Sequence, residues 1–252
     1  MPSPDAVRPA LCVLFLHHKD DALTRLHFDL LRRSNPRAVI VPLCDAPEGR
    51  LPGAIDTAAL PTPWNTSNKW RSCDTMIYRW FRQRDFDAER YVVLEYDCRC
   101  DIDLLQHYRA LGDVDVVAAS YIEPERHPRW YWFREAERLS DADRAARAGI
   151  VPIAGAAFTH DALARVCDVV TTADVFSELR LGTAVRRAGL RVRTFAGADR
   201  RHFGWREYRR PIVRPGLYHA VKHVNHNQVQ LVRALKQAAR RLLTAWQSWR
   251  RR

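Results

Sequence analysis

The 252-residue sequence predicts an α/β fold, a mixed central sheet flanked by helices, followed by an amphipathic helix at the C-terminal end. Three observations predict it. Short β-rich apolar runs alternate with segments of helical period, the pattern of a sheet covered by helices. An apolar content of 47% over this length is enough to bury a core on both faces of such a sheet. From about Val224 onward the pattern becomes basic and amphipathic, which suits a helix standing outside the sheet.

Taken in order, Leu11–Leu16, Ala38–Pro42, Tyr91–Glu95, Val114–Ser120, Ile150–Ala157 and Val192–Phe195 read as strands. A first helix is expected from Asp20 to Arg33, where Leu23, Leu26, Leu30 and Leu31 share a face and Asn35-Pro36 closes it. A second is expected from about Ser72 to Arg84, with Met76, Ile77, Trp80 and Phe81 as its buried stripe. Between them, residues 45–66 carry repeated proline and glycine and read as a long loop crossing the sheet edge. No repeat or low-complexity tract divides the chain, so residues 1–225 are expected to form one domain and residues 226–252 the terminal helix.

Composition removes several function classes. The six cysteines form no Cys-x-x-Cys pair, which argues against a disulfide framework and for a reducing cytoplasm. The N-terminal apolar run is far shorter than the roughly 20 residues of a membrane span, so neither a signal peptide nor a transmembrane helix is expected. Of the net charge of +12, residues 228–252 contribute +7 with no acid among them, leaving the remainder mildly basic. A nucleic-acid-binding α/β protein is the alternative that the charge suggests, but it requires a basic stripe over the folded surface. A dinucleotide-binding oxidoreductase fails on the missing Gly-x-Gly-x-x-Gly, and the absence of glycine from Leu14–Asp21 argues against a nucleotidyltransferase.

The chemistry concentrates in Tyr91–Asp103. Tyr91-Val92-Val93-Leu94 suits a central strand, and Glu95-Tyr96-Asp97 then sets two acids at period two where open α/β sheets bind ligands. An acid in an apolar strand is costly without a partner, and a hard divalent cation would bridge Glu95 and Asp97 to a diphosphate. Asp101-Ile102-Asp103 is a second acid-x-acid triplet and the fallback metal site; either acid could instead cap the helix that begins near Leu104.

With these residues in place, the order of elements over roughly residues 10–225 resembles the glycosyltransferase A fold, a Rossmann-like domain whose nucleotide-sugar half ends in an Asp-x-Asp motif. Here Glu95-Tyr96-Asp97 stands for that motif, with Glu95 departing from it, so Asp97 is the safer ligand. The resemblance implies a nucleotide-sugar half at about 10–103 and an acceptor half at about 104–225. It implies a metal-dependent transferase moving a sugar, in an inverting hexosyl transfer, from a nucleoside-diphosphate sugar to a glycan or lipid-linked acceptor, with Mn2+ or Mg2+ as cofactor. The loop after the first strand, with His17 and His18, would contact the donor, as would Lys69 and Asp74.

In the second half, the small-residue run Pro152–Phe158 resembles the strand beneath the acceptor, placing Gly155 there. Phe176–Thr183 is similar to the family's catalytic-acid helix, which makes Glu178 the candidate base; a helix-start glutamate complementing the dipole is the competing reading. His219, His223 and His226 would align on a helix and could bind zinc. The resemblance instead returns His219 to the metal and Lys222 to the diphosphate. Among the aromatics Trp130-Tyr131-Trp132-Phe133, Trp130 is the candidate for stacking on an acceptor, with core packing the other reading.

The terminal helix sets Leu231, Val232, Leu235, Ala238, Ala239, Leu242, Leu243, Trp246 and Trp249 on one face. Such a helix either lies on an anionic membrane at the inner face of the cell or docks its stripe on protein.

Overall fold

The computed structural model describes residues 8–64, 68, 70–196, 203–205 and 211–250. Its strands are β1 (Cys12–His17), β2 (Val39–Cys44), β3 (Ile55–Asp56), β4 (Arg90–Glu95), β5 (Arg99–Cys100), β6 (Val116–Ala118), β7 (Tyr121–Ile122), β8 (Gly149–Ile150), β9 (Ala157–Thr159), β10 (Val192–Thr194), β11 (Phe203–Trp205) and β12 (Leu217–His219). The α-helices are α1 (Ala22–Ser34), α2 (Thr75–Gln83), α3 (Leu104–Arg109), α4 (Asp141–Ala145), α5 (His160–Val169), α6 (Ser177–Arg187) and α7 (His226–Arg250).

Seven strands form the main sheet in the order β10-β6-β9-β4-β1-β2-β3. The sheet is mixed because β9 runs antiparallel to both β4 and β6, while β1, β2, β3 and β4 are mutually parallel. Alternate residues of β1 supply the two faces of the core, as the period of a strand requires. Cys12, Leu14 and Leu16 pack with Met76, Ile77 and Trp80 of α2, Leu163 of α5 and Leu181 of α6. Val13 and Phe15 pack on the opposite face with Leu31 of α1 and Leu104 and Tyr108 of α3. Both faces are covered, which is why β1 and β4 read as continuous apolar runs.

Helix α1 begins where expected, because the Asp21 carboxylate accepts from the Thr24 backbone N–H at 2.8 Å. The proline-rich stretch after β2 is more ordered than a plain loop. It adds β3 as an edge strand, and its next turn is pinned by Thr57, whose hydroxyl donates to Cys44 O while Arg79 donates to Thr57 O. The run Ile150–Ala157 is two strands, β8 and β9, rather than one. Pro152 cannot donate to a ladder, and Gly155 turns the chain at φ +82°. The helical turn Tyr131–Arg138 and helix α4 fill the interval between β7 and β8.

A smaller sheet, β11-β12-β5, brings the C-terminal segment back beside the end of β4. Gly155 serves that junction, since a Cβ there would fall 2.6 Å from Phe203 and 3.1 Å from Leu217.

Helix α6 presses against β8 at Gly182, where an added Cβ would lie 2.5 Å from both Ala148 O and Gly149 Cα. Alanine is better than glycine in a helix by about 1 kcal/mol, but here it meets backbone that cannot rotate away, an overpacking cost of about 1–3 kcal/mol. Gly182→Ala is therefore expected to lower unfolding free energy in urea titration, and a stabilised variant would contradict the contact.

Candidate active site

Strands β1 and β4 run parallel with Leu16 opposite Glu95, so their carboxyl ends open side by side into a cleft of about 320 Å³. After Glu95 the chain turns sharply, Cys98 N–H donating to Glu95 O, and enters β5. The main chain of this turn is held from two sides. His27 Nδ1 lies 3.0 Å from Tyr96 O, and Val221 N–H donates to Asp97 O at 2.8 Å.

Strand β12 pairs antiparallel with β5, Leu217 opposite Cys100 and Tyr218 opposite Arg99. One step further in that register brings His219 to the Asp97-Cys98 turn. Its Nε2 lies 3.1 Å from Glu95 Oε2 and 3.3 Å from Asp97 Oδ1. Lys222 bonds the other oxygen of Asp97. Ligand atoms of Asp97, Cys98 and His219 all lie within 4.8 Å of one another, a group that could hold a metal ion.

The electrostatics follow from burial and pairing. Burial by itself would raise the Asp97 carboxyl, but the His219 hydrogen bond and the nearby imidazolium and ammonium charges overcome it and hold Asp97 at about 2. Burial works against His219 as a cation, yet its bonds to Asp97 and Glu95 lift it to about 10. Glu178, in the first turn of α6, has no such partner among the described residues. Burial raises it, the charge of Glu95 raises it further against the pull of His219, and it stands at about 8. One cleft thus holds one carboxyl driven acidic and another driven basic, an arrangement typical of acid–base work.

His17 and His18 line the cleft beside β4, with His18 edge-on to the Tyr96 ring at 4.7 Å. Among the described residues neither buried His17 ring nitrogen has a hydrogen-bond partner of normal geometry, although the backbone of Lys19 and Gly49 faces the ring, and burial lowers its pKa. Lys19 and Lys222 stand 4.7 and 5.6 Å from the Tyr96 ring centre, so two cations flank that ring.

The structure therefore gathers His17, His18, Glu95, Tyr96, Asp97, Glu178, His219 and Lys222 around one cleft. Other expected residues lie elsewhere. Lys69 lies outside the described residues. Asp74 is fully buried behind the cleft, accepting from Arg180 at 2.6 Å and from the Tyr78 hydroxyl at 2.9 Å, so both its oxygens are spent inside the protein. Gly155 faces Phe203 and Leu217 rather than the cleft. Trp130 packs on Gly149 and edge-on to Phe133, where Gly149 leaves room for its ring.

The second acid triplet is occupied by structural bonds. Asp101 accepts from Arg99 and from Gly216 N–H, and Asp103 caps α3 through Gln106 N–H. The zinc alternative at His219, His223 and His226 fails because His219 sits in β12 and His226 opens α7, so no single helix aligns them.

Sequence reasoning missed Trp70, Trp132 and Phe176, which line the cleft on the Glu178 side. Trp132 stacks on Phe176 at 3.8 Å and Trp70 leans on both, with 65% of its own surface exposed. Glu135 fixes this wall, gripping Arg71 with both oxygens and accepting from Phe176 N–H at 2.9 Å. The signal was the aromatic run at 130–133, in which a helical turn, invisible to local pattern, turns Trp132 rather than Trp130 inward.

No protein-family model matches the chain, and no curated protein matches it. Solved structures do resemble it at low similarity. One is an active-site mutant of LgtC, 12% identical with a TM-score of 0.38, covering 77% of this chain and 74% of that one. The galactosyltransferase LgtC with donor and acceptor sugar analogues matches at 12% identity and TM-score 0.38, covering 77% and 75%. A mannosyltransferase from Pyrobaculum calidifontis, in complex with GDP-Man and Mn2+, matches at 15% identity and TM-score 0.42; the comparison covers 90% of this chain and 61% of that one.

Two predictions follow from the charges. In chelator-treated protein, the Asp97 contribution to stability is present above about pH 3.8 and lost as pH falls toward 2, while the His219 contribution is present below about 6.5 and lost as pH rises toward 10. Thermal melts should plateau between those limits, and His219→Asn should flatten the alkaline decline; an unchanged decline would separate His219 from the carboxylates. Asp74→Ala strands a buried guanidinium, so urea titration should show a loss of about 3–5 kcal/mol, whereas an unchanged midpoint would free Asp74 for a role in binding.

Proposed function

We propose that the protein is a metal-dependent glycosyltransferase of the A type, moving a hexosyl group from a nucleoside-diphosphate sugar to an acceptor hydroxyl with inversion, in glycan or glycolipid synthesis. The observation that carries this reading is the convergence of Asp97, Glu95 and His219 at the carboxyl end of β4, with Glu178 lining the same cleft.

The donor atoms suit Mn2+ or Mg2+. Carboxylate oxygens and an imidazole nitrogen are ligands that such ions accept. Asp97 is buried yet ionised, its charge balanced by His219 and Lys222, and a divalent cation can take over that balance once the imidazole gives up its proton. Cys98 is the poorer ligand, because burial holds its thiol far above the ordinary range. Asp97, His219 and Glu95 would hold the ion, which supplies charge neutralisation for a departing diphosphate.

The remaining side chains divide the cleft. On the donor side, His17, His18 and Tyr96 would meet the nucleotide, while Lys222, released from Asp97, offers its ammonium to phosphate oxygens. On the acceptor side, Trp70 and Trp132 give flat faces on which a sugar ring can lie next to Glu178. Glu178 would then take the proton from the attacking hydroxyl.

Calorimetric titration with a panel of nucleoside diphosphates tests the reading. Binding is expected only with Mn2+ present and weakened at least ~10-fold by Asp97→Asn, from loss of a ligand. Glu178→Gln should keep that binding while slowing transfer by ~10²-fold or more. With Glu178 at about 8, the rate of the wild type should rise with pH through that region, shifted downward by the added charge of the ion, and the rise should vanish in Glu178→Gln. A folded chain that binds no nucleoside diphosphate under either condition overturns the proposal.

A further inference from the structure

Helix α7 is rooted in the domain and then leaves it. At its base His226 and Gln230 are buried, and Asn227 exchanges two hydrogen bonds with the backbone of Ile212, at 2.8 and 2.9 Å. From Leu231 to Arg241 every residue is exposed. That stretch includes large apolar side chains: Leu231 is 55% exposed, Val232 49% and Leu235 62%. By helical period Leu231, Leu235 and Ala238 share one stripe with Val232 and Ala239 beside it, and the sequence continues the period through Leu242, Trp246 and Trp249. Arg233 and Arg240 fall on the other side, with Lys236 and Arg241 at the flanks.

We propose that α7 is an interfacial helix that seats the protein on an anionic lipid surface. Residues 231–241 combine an uncovered apolar stripe with basic side chains, the pairing that lets a helix lie at the boundary between headgroups and acyl chains. Charge decides between this occupant and the others. A second copy of α7 would bring another strongly basic segment, with no acid in residues 228–252 of either, against this one. Nucleic acid would neutralise the charge but offers nothing to the apolar stripe. A bilayer with anionic headgroups satisfies both.

The seat also says which acceptor the cleft would take, a clause that rests on the glycosyltransferase reading. Lys222 lines the cleft, and His226 opens α7 only four residues later, a span of at most about 14 Å even when extended. The root of the helix is therefore close to the cleft mouth, and an acceptor carried on a lipid would be presented there.

The experiment is co-sedimentation of the full chain with vesicles of phosphatidylcholine alone or with about one-third phosphatidylglycerol. Binding to the anionic vesicles should exceed binding to neutral ones about 10-fold. The exposed pair Leu231→Glu with Leu235→Glu should abolish it without touching the fold. Replacing Arg233, Lys236, Arg240 and Arg241 by Gln should remove the preference for anionic vesicles.

No sedimentation with either composition overturns the proposal, as does equal sedimentation of wild type and the glutamate pair. A dimer in light scattering that the glutamate pair makes monomeric, without vesicle binding, assigns the stripe to a second copy and likewise overturns it. Nucleoside-diphosphate titration of the glutamate variant keeps the two readings apart. Unchanged nucleotide binding with lost vesicle binding supports both, while vesicle binding in a chain that takes no nucleotide overturns the lipid-linked acceptor.

Discussion

A carboxylate buried at the end of a strand has to be compensated, and the arrangement around Asp97 shows how much of the molecule that requirement engages. Strand β4 carries the acid into a region where an isolated negative charge would cost several kcal/mol. The compensating groups, His219 and Lys222, come from more than a hundred residues downstream, brought by the pairing of β12 with β5. Arg99 and Asp101 secure that junction, and Val221 ties its backbone to Asp97. The small sheet exists to close this circuit, and the packing of Gly155 against Phe203 and Leu217 makes room for it.

The opposite side of the cleft obeys a different constraint. Among the described residues Glu178 has no ion-pair partner, and its pKa is raised where that of Asp97 is lowered. Its position is set by the start of α6, and one buried and one half-buried ion pair hold that start. Arg180 is sunk onto Asp74 below, and Glu135 grips Arg71 while accepting from Phe176 N–H beside it. These pairs do not line the cleft but determine where Glu178 and the aromatic wall sit. A residue such as Asp74, acidic and upstream of the motif, therefore serves the site through α6 without facing the cleft.

Helix α7 follows a third logic. Its base is locked by Asn227 and Ile212, whereas its middle contributes nothing to the core. A stripe of leucines left in water is unfavourable unless a partner covers it, and the segment's charge is the ground on which an anionic surface is proposed as that partner. Among the described residues no helix is long and apolar enough to cross a membrane.

The sequence by itself determined the elements whose signal is local. The strands β1, β2 and β4, the capped helix α1, the stripe of α2 and the amphipathic α7 all follow from side-chain period and capping, which neighbouring residues decide. Glu95, Asp97, Glu178 and His219 were visible because acids at strand and helix ends and a histidine near the C-terminus match a known order of elements. Tertiary structure alone decided which of these groups meet, since the β5–β12 register, not any spacing, joins His219 to Asp97. It also decided that Asp74 is paired inside, that Trp132 rather than Trp130 faces the cleft, and that Pro152 and Gly155 split one apolar run into two strands. Burial and long-range pairing set those outcomes, and neither is written in the local pattern of residues.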